Sequence, residues 1–225
     1  MSERSERLLQ IFMESLWPML KAGLQYTVTL TLISFALGLA LAFATALARL
    51  SRWRLLAGIA AFYVWIIRGT PLLVQLFIIY YGLPSLGWTI DAFPAAVLAF
   101  TLSVGAYNSE IIRAAILSIS RGQWEAAYSI GMTRRQALRR IVLPQAARVS
   151  VPPLSNSFIS LVKDSSLAAT ITLTELFQIA QQRTAVYYEP MLLYCEAALL
   201  YLLFSTVLTY AQRLMERRFD RYAAR

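Results

Sequence analysis

Five long apolar runs, separated by short polar segments, constrain this chain more than any other feature of its sequence. A helix that crosses about 30 Å of hydrocarbon needs roughly 20 mainly apolar residues, because each residue advances it by about 1.5 Å. The pattern therefore predicts an all-α membrane protein with about five transmembrane helices. The five runs cover about Leu24–Ala48, a part of Leu55–Leu83, about Phe93–Ile116, about Val151–Ile171 and about Met191–Tyr210.

The second run is the least regular, because a charged residue and a helix breaker lie inside it, in Arg68-Gly69-Thr70-Pro71. Proline removes a backbone donor and clashes with the preceding turn of a helix. Two interpretations stay open at this point. The segment is either one kinked span, or an interfacial helix followed by a shorter span.

The basic residues predict how the chain is oriented. The net charge of +9 fits either nucleic acid or an anionic membrane surface, but the arginines cluster in alternate segments between the apolar runs. The positive-inside rule assigns such segments to the cytoplasm. We therefore predict one transmembrane domain over residues 1–225, with the N-terminus outside, the C-terminus cytoplasmic and no nucleic-acid partner. The clusters are Arg49, Arg52 and Arg54; Arg121, Arg134, Arg135, Arg139, Arg140 and Arg148; and Arg213, Arg217, Arg218, Arg221 and Arg225.

Residue types for catalysis and metal binding are scarce. The sequence has no histidine, and its one cysteine, Cys195, lies within an apolar run. The commonest general base and metal ligand is therefore missing, and so is any disulfide within one chain. No Gly-x-x-x-x-Gly-Lys-Ser/Thr loop is present to cradle a nucleotide. We expect no catalytic residue, no metal and no cofactor in this chain.

The segment of about 119–148 is the longest expected cytoplasmic loop. Trp124–Ile130 fits a short helix, and Gly131 allows a tight reversal after it. Arg134–Val142 fits a second short helix, which we expect to close before Pro144. A helix-turn-helix projecting from the membrane is one interpretation. A plain loop tethered by its arginines to lipid phosphates is the other, and composition leaves both open.

A motif in this loop resembles the cytoplasmic signature of ABC importer permeases. That signature is EAA, three residues, Gly, nine residues, Ile, one residue and Leu-Pro. The resemblance implies the type I ABC importer permease fold, with this loop as a coupling helix that docks on an ATPase subunit. Seven residues match the signature in register: Glu125, Ala126, Ala127, Gly131, Ile141, Leu143 and Pro144.

Three other segments resemble the polar amino-acid branch of these permeases: residues 68–84, 107–119 and 152–171. The sequence segments QWEAA and LSNSFISLVKD are similar to those of bacterial L-cystine permeases. The resemblance implies a multi-pass protein of the bacterial inner membrane that forms the translocation path for a polar amino acid. It also implies an ABC ATPase dimer that binds ATP, a second permease chain, identical or paralogous, and a periplasmic or lipid-anchored solute-binding protein.

Charged residues inside the apolar runs are candidates for the substrate path, since a charge in lipid is costly and faces a cavity or a partner. A zwitterionic amino acid needs an anion for its ammonium group and a cation for its carboxylate. Alternatively, these charges pair with one another or with a second chain and only fix the packing. The packing interpretation gains support from Lys163 and Asp164, which are adjacent and therefore point in different directions on a helix. The candidates are Arg68, Lys163, Asp164 and Glu196.

Two other classes of function were weighed against the importer. A secondary transporter driven by an ion gradient also has several spans and buried charges, but such folds often show interrupted helices in both halves. Here only Arg68–Pro71 looks interrupted. An intramembrane enzyme needs a recognisable catalytic set, and none is visible in the sequence.

Overall fold

The computed structural model describes residues 3–223, with the side chains of 215 and 217–223 left undescribed. Within those bounds the chain is helical and has no β-strand, which confirms the all-α class. Four arginines of the basic tail, Arg217, Arg218, Arg221 and Arg225, lie outside the described side chains. The α-helices are α1 Glu3–Ala22, α2 Val28–Arg49, α3 Arg54–Gly69, α4 Leu72–Phe77, α5 Ala92–Ser118, α6 Arg121–Ser129, α7 Arg134–Ala137, α8 Leu143–Asp164, α9 Leu176–Tyr187 and α10 Pro190–Ala223.

Several of these helices are joined without a break in helical geometry. Wider π-helical turns and tighter 3₁₀ turns connect or extend them, as both do when a local insertion or a helix end changes the hydrogen-bond register. The π turns are Gly23–Thr27, Ile78–Gly82 and Leu138–Val142, and the 3₁₀ turns are Leu83–Leu86 and Ser165–Ile171.

Three helical segments of the described chain are long and apolar enough to cross a membrane: Glu3–Arg49, Ala92–Ser118 and Pro190–Leu214. The bent pair α3 and α4 makes up to four if it counts as one span. The expected run at about Val151–Ile171 is helical, and its helix α8 is long enough to span a membrane but too polar to be among these segments. Its polar and charged residues, among them Lys163, lower its hydropathy.

The first span begins much earlier than the apolar run suggested. Glu3–Arg49 is helical over 47 residues, whereas the run begins at about Leu24. The additional helix, α1, buries Ile11, Ser15 and Met19, which lie four residues apart on one face. This amphipathic face packs against α9.

The chain leaves helical geometry at the break expected in the second run. Thr70 has φ −118° and ψ 143°, and Pro71 has φ −63° and ψ 138°. Both residues therefore have an extended backbone. For Thr70 the cause is the ring of Pro71, which pushes the preceding residue away from helical angles. The proline then precedes α4, where no backbone donor is required of it.

Clustering of the backbone divides the chain into two compact units. The first unit comprises Met1–Phe35, Pro71–Phe100 and Phe158–Tyr210. It has a hydrophobic core contributed by α1, α9 and α10. The core residues are Ile11, Met19, Leu176, Ala180, Leu193, Ala197 and Leu200.

The second unit comprises Ala36–Thr70, Thr101–Ser157 and Ala211–Arg225. Glycines bring α2 and α5 close together within it: a Cβ at Gly38 would lie 2.5 Å from Val104, and one at Gly105 would lie 2.7 Å from Leu41. Small residues at such crossings permit close helix packing in membranes. The core residues of this unit are Ala42, Ala46, Ile112, Ala115, Ile116, Val142 and Ala146.

Candidate functional site

The helix α6 presents the first three residues of the motif on different faces. Ala127 is only 3% exposed, whereas Glu125 and Ala126 are exposed. Consecutive helical residues are about 100° apart, since a turn holds 3.6 residues. The buried Ala127 belongs to the side of α6 that packs against α7 and the following π turn, where Ala137 is fully buried. Glu125 and Ala126 therefore stay available to a partner.

The turn after α6 depends on the backbone of Gly131, which has φ 79°. The N–H of Gly131 donates to the carbonyl of Tyr128 at 2.9 Å, and the N–H of Met132 donates to that of Ala127 at 3.1 Å. This pair of bonds is a Schellman motif, which ends a helix with a left-handed residue. No atom lies within 4 Å of a Cβ built there. The need for glycine at Gly131 is therefore conformational rather than steric.

The second short helix begins at a capping box that the sequence analysis missed. Thr133 Oγ1 accepts from the N–H of Gln136 at 3.3 Å, and Gln136 Oε1 accepts from the N–H of Thr133 at 2.8 Å. Each side chain satisfies a backbone donor at the start of α7. The pattern Thr-x-x-Gln at 133–136 is the signal that identifies such a cap.

The prediction that the second helix closes before Pro144 is wrong. The helical path runs from α7 through the π turn Leu138–Val142 directly into α8. Proline is tolerated within the first turn of a helix, and the π turn before it changes the hydrogen-bond register. Of the last three motif residues, Ile141 and Leu143 are half-buried, whereas Pro144 is exposed.

A hydrogen bond joins the two ends of the loop. Gln145 Nε2 donates to Gln123 Oε1 at 3.1 Å and to the carbonyl of Ile141 at 2.9 Å. Gln123 lies on α6 and Gln145 lies on α8 next to the proline of the motif. The sequence analysis missed both residues, because a contact across 22 residues leaves no local pattern. The loop from α6 to α8 is thus internally bonded and packed.

An ion-pair cluster lies at the ends of α2 and α5. Arg113 donates to Glu110 Oε2 through Nη2 at 2.9 Å and Nε at 3.2 Å, a pair three residues apart on one face of α5. Arg49 also pairs with Glu110. The Arg49–Glu110 and Arg113–Glu110 ion pairs both lie within the second unit, and the first of them connects α2 to α5.

The four charged candidates for the substrate path differ in their surroundings. Lys163 and Asp164 are exposed at the end of α8. Arg68 is exposed, and its guanidinium carbon lies 5.3 Å from the centre of the Tyr107 ring, a cation–π geometry. Glu196 is 1% exposed, and neither of its carboxylate oxygens has a hydrogen-bond partner among the described residues. Lys163, Asp164 and Glu196 belong to the first unit and Arg68 to the second.

A second buried carboxylate, Glu175, is absent from the candidates predicted from the sequence. Glu175 is fully buried in the first unit. Its Oε2 accepts from Tyr201 at 2.7 Å and Thr27 at 3.2 Å, while Oε1 accepts from the N–H of Gln178 at 2.9 Å. Burial raises the pKa of Glu175, and these hydrogen bonds oppose that rise. The residue caps α9 and links it to α10 and to the π turn Gly23–Thr27.

Comparison with known proteins decides the family. Residues 34–221 match the family described as binding-protein-dependent transport system inner membrane component. The chain belongs to this family. The motif at 125–144 and its coupling helix are typical of these permeases. Family membership excludes the secondary transporter that was weighed as the alternative.

Relatives and solved structures agree with that assignment. The chain is 54% identical over 213 residues to the L-cystine transport system permease protein TcyB of Bacillus subtilis (strain 168), covering 94% of this chain and 91% of that protein. It is 40% identical over 211 residues to the nopaline transport system permease protein NocM of Agrobacterium fabrum, covering 89% of this chain and 87% of that protein.

Among solved structures, the crystal structure of an amino acid ABC transporter with histidines matches with a TM-score of 0.87 and 36% identity, covering 92% of this chain and 96% of that one. An inward-facing form of the MetNI methionine ABC transporter shares the fold, with a TM-score of 0.68 at 22% identity and coverage of 97% and 99%. The type I ABC permease fold expected from the motif is therefore confirmed.

Proposed function

We propose that this chain forms the translocation path of an ATP-driven importer for L-cystine in a bacterial inner membrane. Its similarity to the Bacillus subtilis L-cystine permease, which extends over nearly the whole chain, is the observation that carries the proposal. The transport role itself follows from the family. The choice of L-cystine among polar amino acids rests on that relative.

The exposed side of α6 supports docking of a separate ATPase subunit that binds and hydrolyses the ATP. Ile130 is 71% exposed and Tyr128 is 46% exposed, beside the exposed Glu125 and Ala126. An exposed apolar group next to a charged one, on a loop outside the membrane spans, is typical of a surface that a partner covers. We assign this surface to one subunit of an ATPase dimer. A second permease chain and a solute-binding protein complete the assembly.

The same loop supplies a route from ATPase to permease. A displacement of α6 would also displace α7 and the π turn, because Ala127 and Ala137 are buried where these elements pack. The helical path then continues from Leu143 to Asp164 without a break. Closure of the ATPase dimer would therefore move the start of α8 and bias the path between its inward-facing and outward-facing states.

The substrate itself is proposed to contact charges on the spans. Asp164 and Glu196 supply the negative charge for an ammonium group, and Arg68 and Lys163 supply the positive charge for a carboxylate. The carboxylate of Glu196 has no hydrogen-bond partner among the described residues, which supports this role, since a buried charge is costly unless a ligand or a second chain pairs with it. Asp164→Asn and Glu196→Gln distinguish a substrate contact from a role in packing alone. A substrate contact raises the KM for cystine, whereas a packing role lowers stability at unchanged KM.

Uptake in cells tests the proposal directly. Cells that lack their own cystine importers receive this permease with candidate ATPase and solute-binding proteins from its native host, and accumulation of labelled L-cystine is measured. We expect uptake that excess unlabelled cystine abolishes and that arginine or glutamine does not. Competition by arginine or glutamine at equal concentration would assign a different amino acid to the system.

Charge reversal tests the docking surface in the same cells. Glu125→Arg should abolish uptake while the permease remains in the membrane, because the reversed charge opposes ATPase docking. Glu6→Arg, a reversal at an exposed position of α1 outside the loop, is the matched control. Equal uptake by both variants would count against the docking surface.

A further inference from the structure

A cleft with arginines and apolar residues opens beside the coupling loop, and nothing in the proposed transport cycle uses it. Its volume is about 760 Å³, and its lining comes from the ends of α2 and α5 together with α6 and α7. All lining residues belong to the second unit. The two spanning helices end here, and the orientation predicted from the arginines puts this end of both helices on the cytoplasmic side.

Four arginines give the cleft its charge. All four side chains are exposed, and no carboxylate lies among the lining residues. Within the described chain, the ion pairs formed by Glu110 involve Arg49 and Arg113 instead. The charge of the cleft is therefore uncompensated by its own lining. The four are Arg52, Arg121, Arg134 and Arg135.

The rest of the lining is mainly apolar and more deeply placed. Ile116 is buried, Leu47 and Leu50 are half-buried, and Leu117 is 58% exposed. Trp124 also lines the cleft, and tryptophan is enriched where hydrocarbon meets headgroups. A ligand that matches this cleft must combine an anionic group with a long apolar part.

We infer that this cleft binds an anionic phospholipid of the cytoplasmic leaflet, with the phosphate held by the arginines and an acyl chain lying along the leucines and Ile116. Basic pockets between spanning helices on the cytoplasmic side bind anionic headgroups in this way. Free phosphate would match the arginines alone and leave the apolar lining without a partner, and retention of the ATPase subunit separates a lipid from a folded partner in the test below. The inference goes beyond the proposed function and does not depend on which amino acid is transported.

Lipid retention by the purified importer complex tests the inference. The complex is delipidated in neutral detergent and titrated with phosphatidylglycerol or phosphatidylcholine, and native mass spectrometry counts the bound lipid. We expect phosphatidylglycerol to be retained in preference to phosphatidylcholine. The double variant R52Q/R134Q should bind phosphatidylglycerol about 20-fold more weakly, because each arginine near a headgroup contributes roughly a fivefold factor.

Matched controls make each outcome decisive. The double variant R139Q/R140Q removes the same charge from arginines of the same loop that do not line the cleft, and it should bind phosphatidylglycerol as the parent does. Equal loss in both double variants would show a diffuse positive surface and overturn the inference.

Glycerol phosphate, which lacks acyl chains, should not compete with phosphatidylglycerol for the cleft. Competition at the concentrations at which phosphatidylglycerol binds would reduce the cleft to a phosphate site.

A third outcome separates lipid from protein. If R52Q/R134Q retained phosphatidylglycerol but lost the ATPase subunit on purification, the cleft would be part of the protein interface and the inference would fail. Lipid binding is measured without transport, so a failure here leaves the proposed import function untouched. Failure of cystine uptake likewise leaves the lipid result standing.

Discussion

At the scale of single residues, Gly131 carries the sharpest constraint in the loop. Its positive φ sets the direction in which the chain leaves α6, and its surroundings leave room for a side chain. The left-handed conformation costs an L-residue about 1–2 kcal/mol, and asparagine tolerates it better than most. A substitution here therefore tests backbone geometry with little steric interference.

We predict that Gly131→Val weakens co-purification of the ATPase subunit and reduces uptake several-fold, because valine opposes the left-handed turn. Gly131→Asn should retain most of both activities. The measurement is the yield of ATPase subunit on the tagged permease, together with initial uptake rates. Equal loss in the two variants would show that the side chain at this position, rather than the turn, disturbs docking.

The buried Glu175 illustrates a residue whose role depends on partners far away in the sequence. Tyr201→Phe removes one donor to its carboxylate and should lower the stability of the permease by about 1–3 kcal/mol, because a buried acceptor loses a hydrogen bond. Thermal unfolding in detergent, followed by size-exclusion fluorescence, measures the loss. Tyr194→Phe, on the same helix and with no hydrogen bond from its hydroxyl to a described residue, is the control. A change of the same size in both variants would argue that phenolic hydroxyls on α10 matter for another reason.

At the scale of elements, the coupling loop was predictable because its signals are local. The helix at α6, the glycine turn and the second short helix all follow from patterns within a few residues. The prediction about Pro144 was wrong because proline breaks a helix in its interior but is tolerated in its first turn. Here a π turn precedes α8, and Pro144 is the second residue of α8. The bonds Gln123–Gln145 and Arg49–Glu110 join residues distant in sequence, so no local pattern could reveal them.

The capping box of α7 gives a prediction at this scale. Thr133→Ala should lower the stability of the second short helix by about 1 kcal/mol, and amide exchange over residues 134–142 should rise roughly fivefold. Hydrogen exchange followed by mass spectrometry of the loop peptides measures the change. Ser129→Ala is the control, because its hydroxyl bonds back to the carbonyl of Glu125 within α6 and caps nothing. Unchanged exchange in Thr133→Ala would remove the capping box from the account.

The N-terminal helix shows where apolar runs mislead. Its first turn carries Glu3 and Glu6, and the helix precedes the first apolar run of the sequence. In the structure α1 is nevertheless continuous with α2 through a π turn, because its buried face packs against α9. An amphipathic face that packs on protein needs fewer apolar residues than a face in lipid. Hydropathy alone therefore underestimates the length of this helix.

At the scale of the whole molecule, orientation remains a prediction from the arginines. We predict that an impermeant maleimide applied to intact cells labels Ser85→Cys and not Gly122→Cys, each in a Cys195→Ser background. Both positions are exposed, which makes the reaction depend on sidedness rather than burial. Labelling of Gly122→Cys from outside would invert the orientation and place the coupling loop on the wrong face of the membrane.

The central claim is that ATP hydrolysis by a docked partner drives solute through this chain. The most direct measurement is uptake of labelled L-cystine by proteoliposomes that contain the permease, its ATPase and the solute-binding protein, with ATP supplied on the side of the coupling loop. The account predicts uptake that requires ATP and disappears in Glu125→Arg. Uptake that proceeds without ATP under an ion gradient, and survives that substitution, would contradict it.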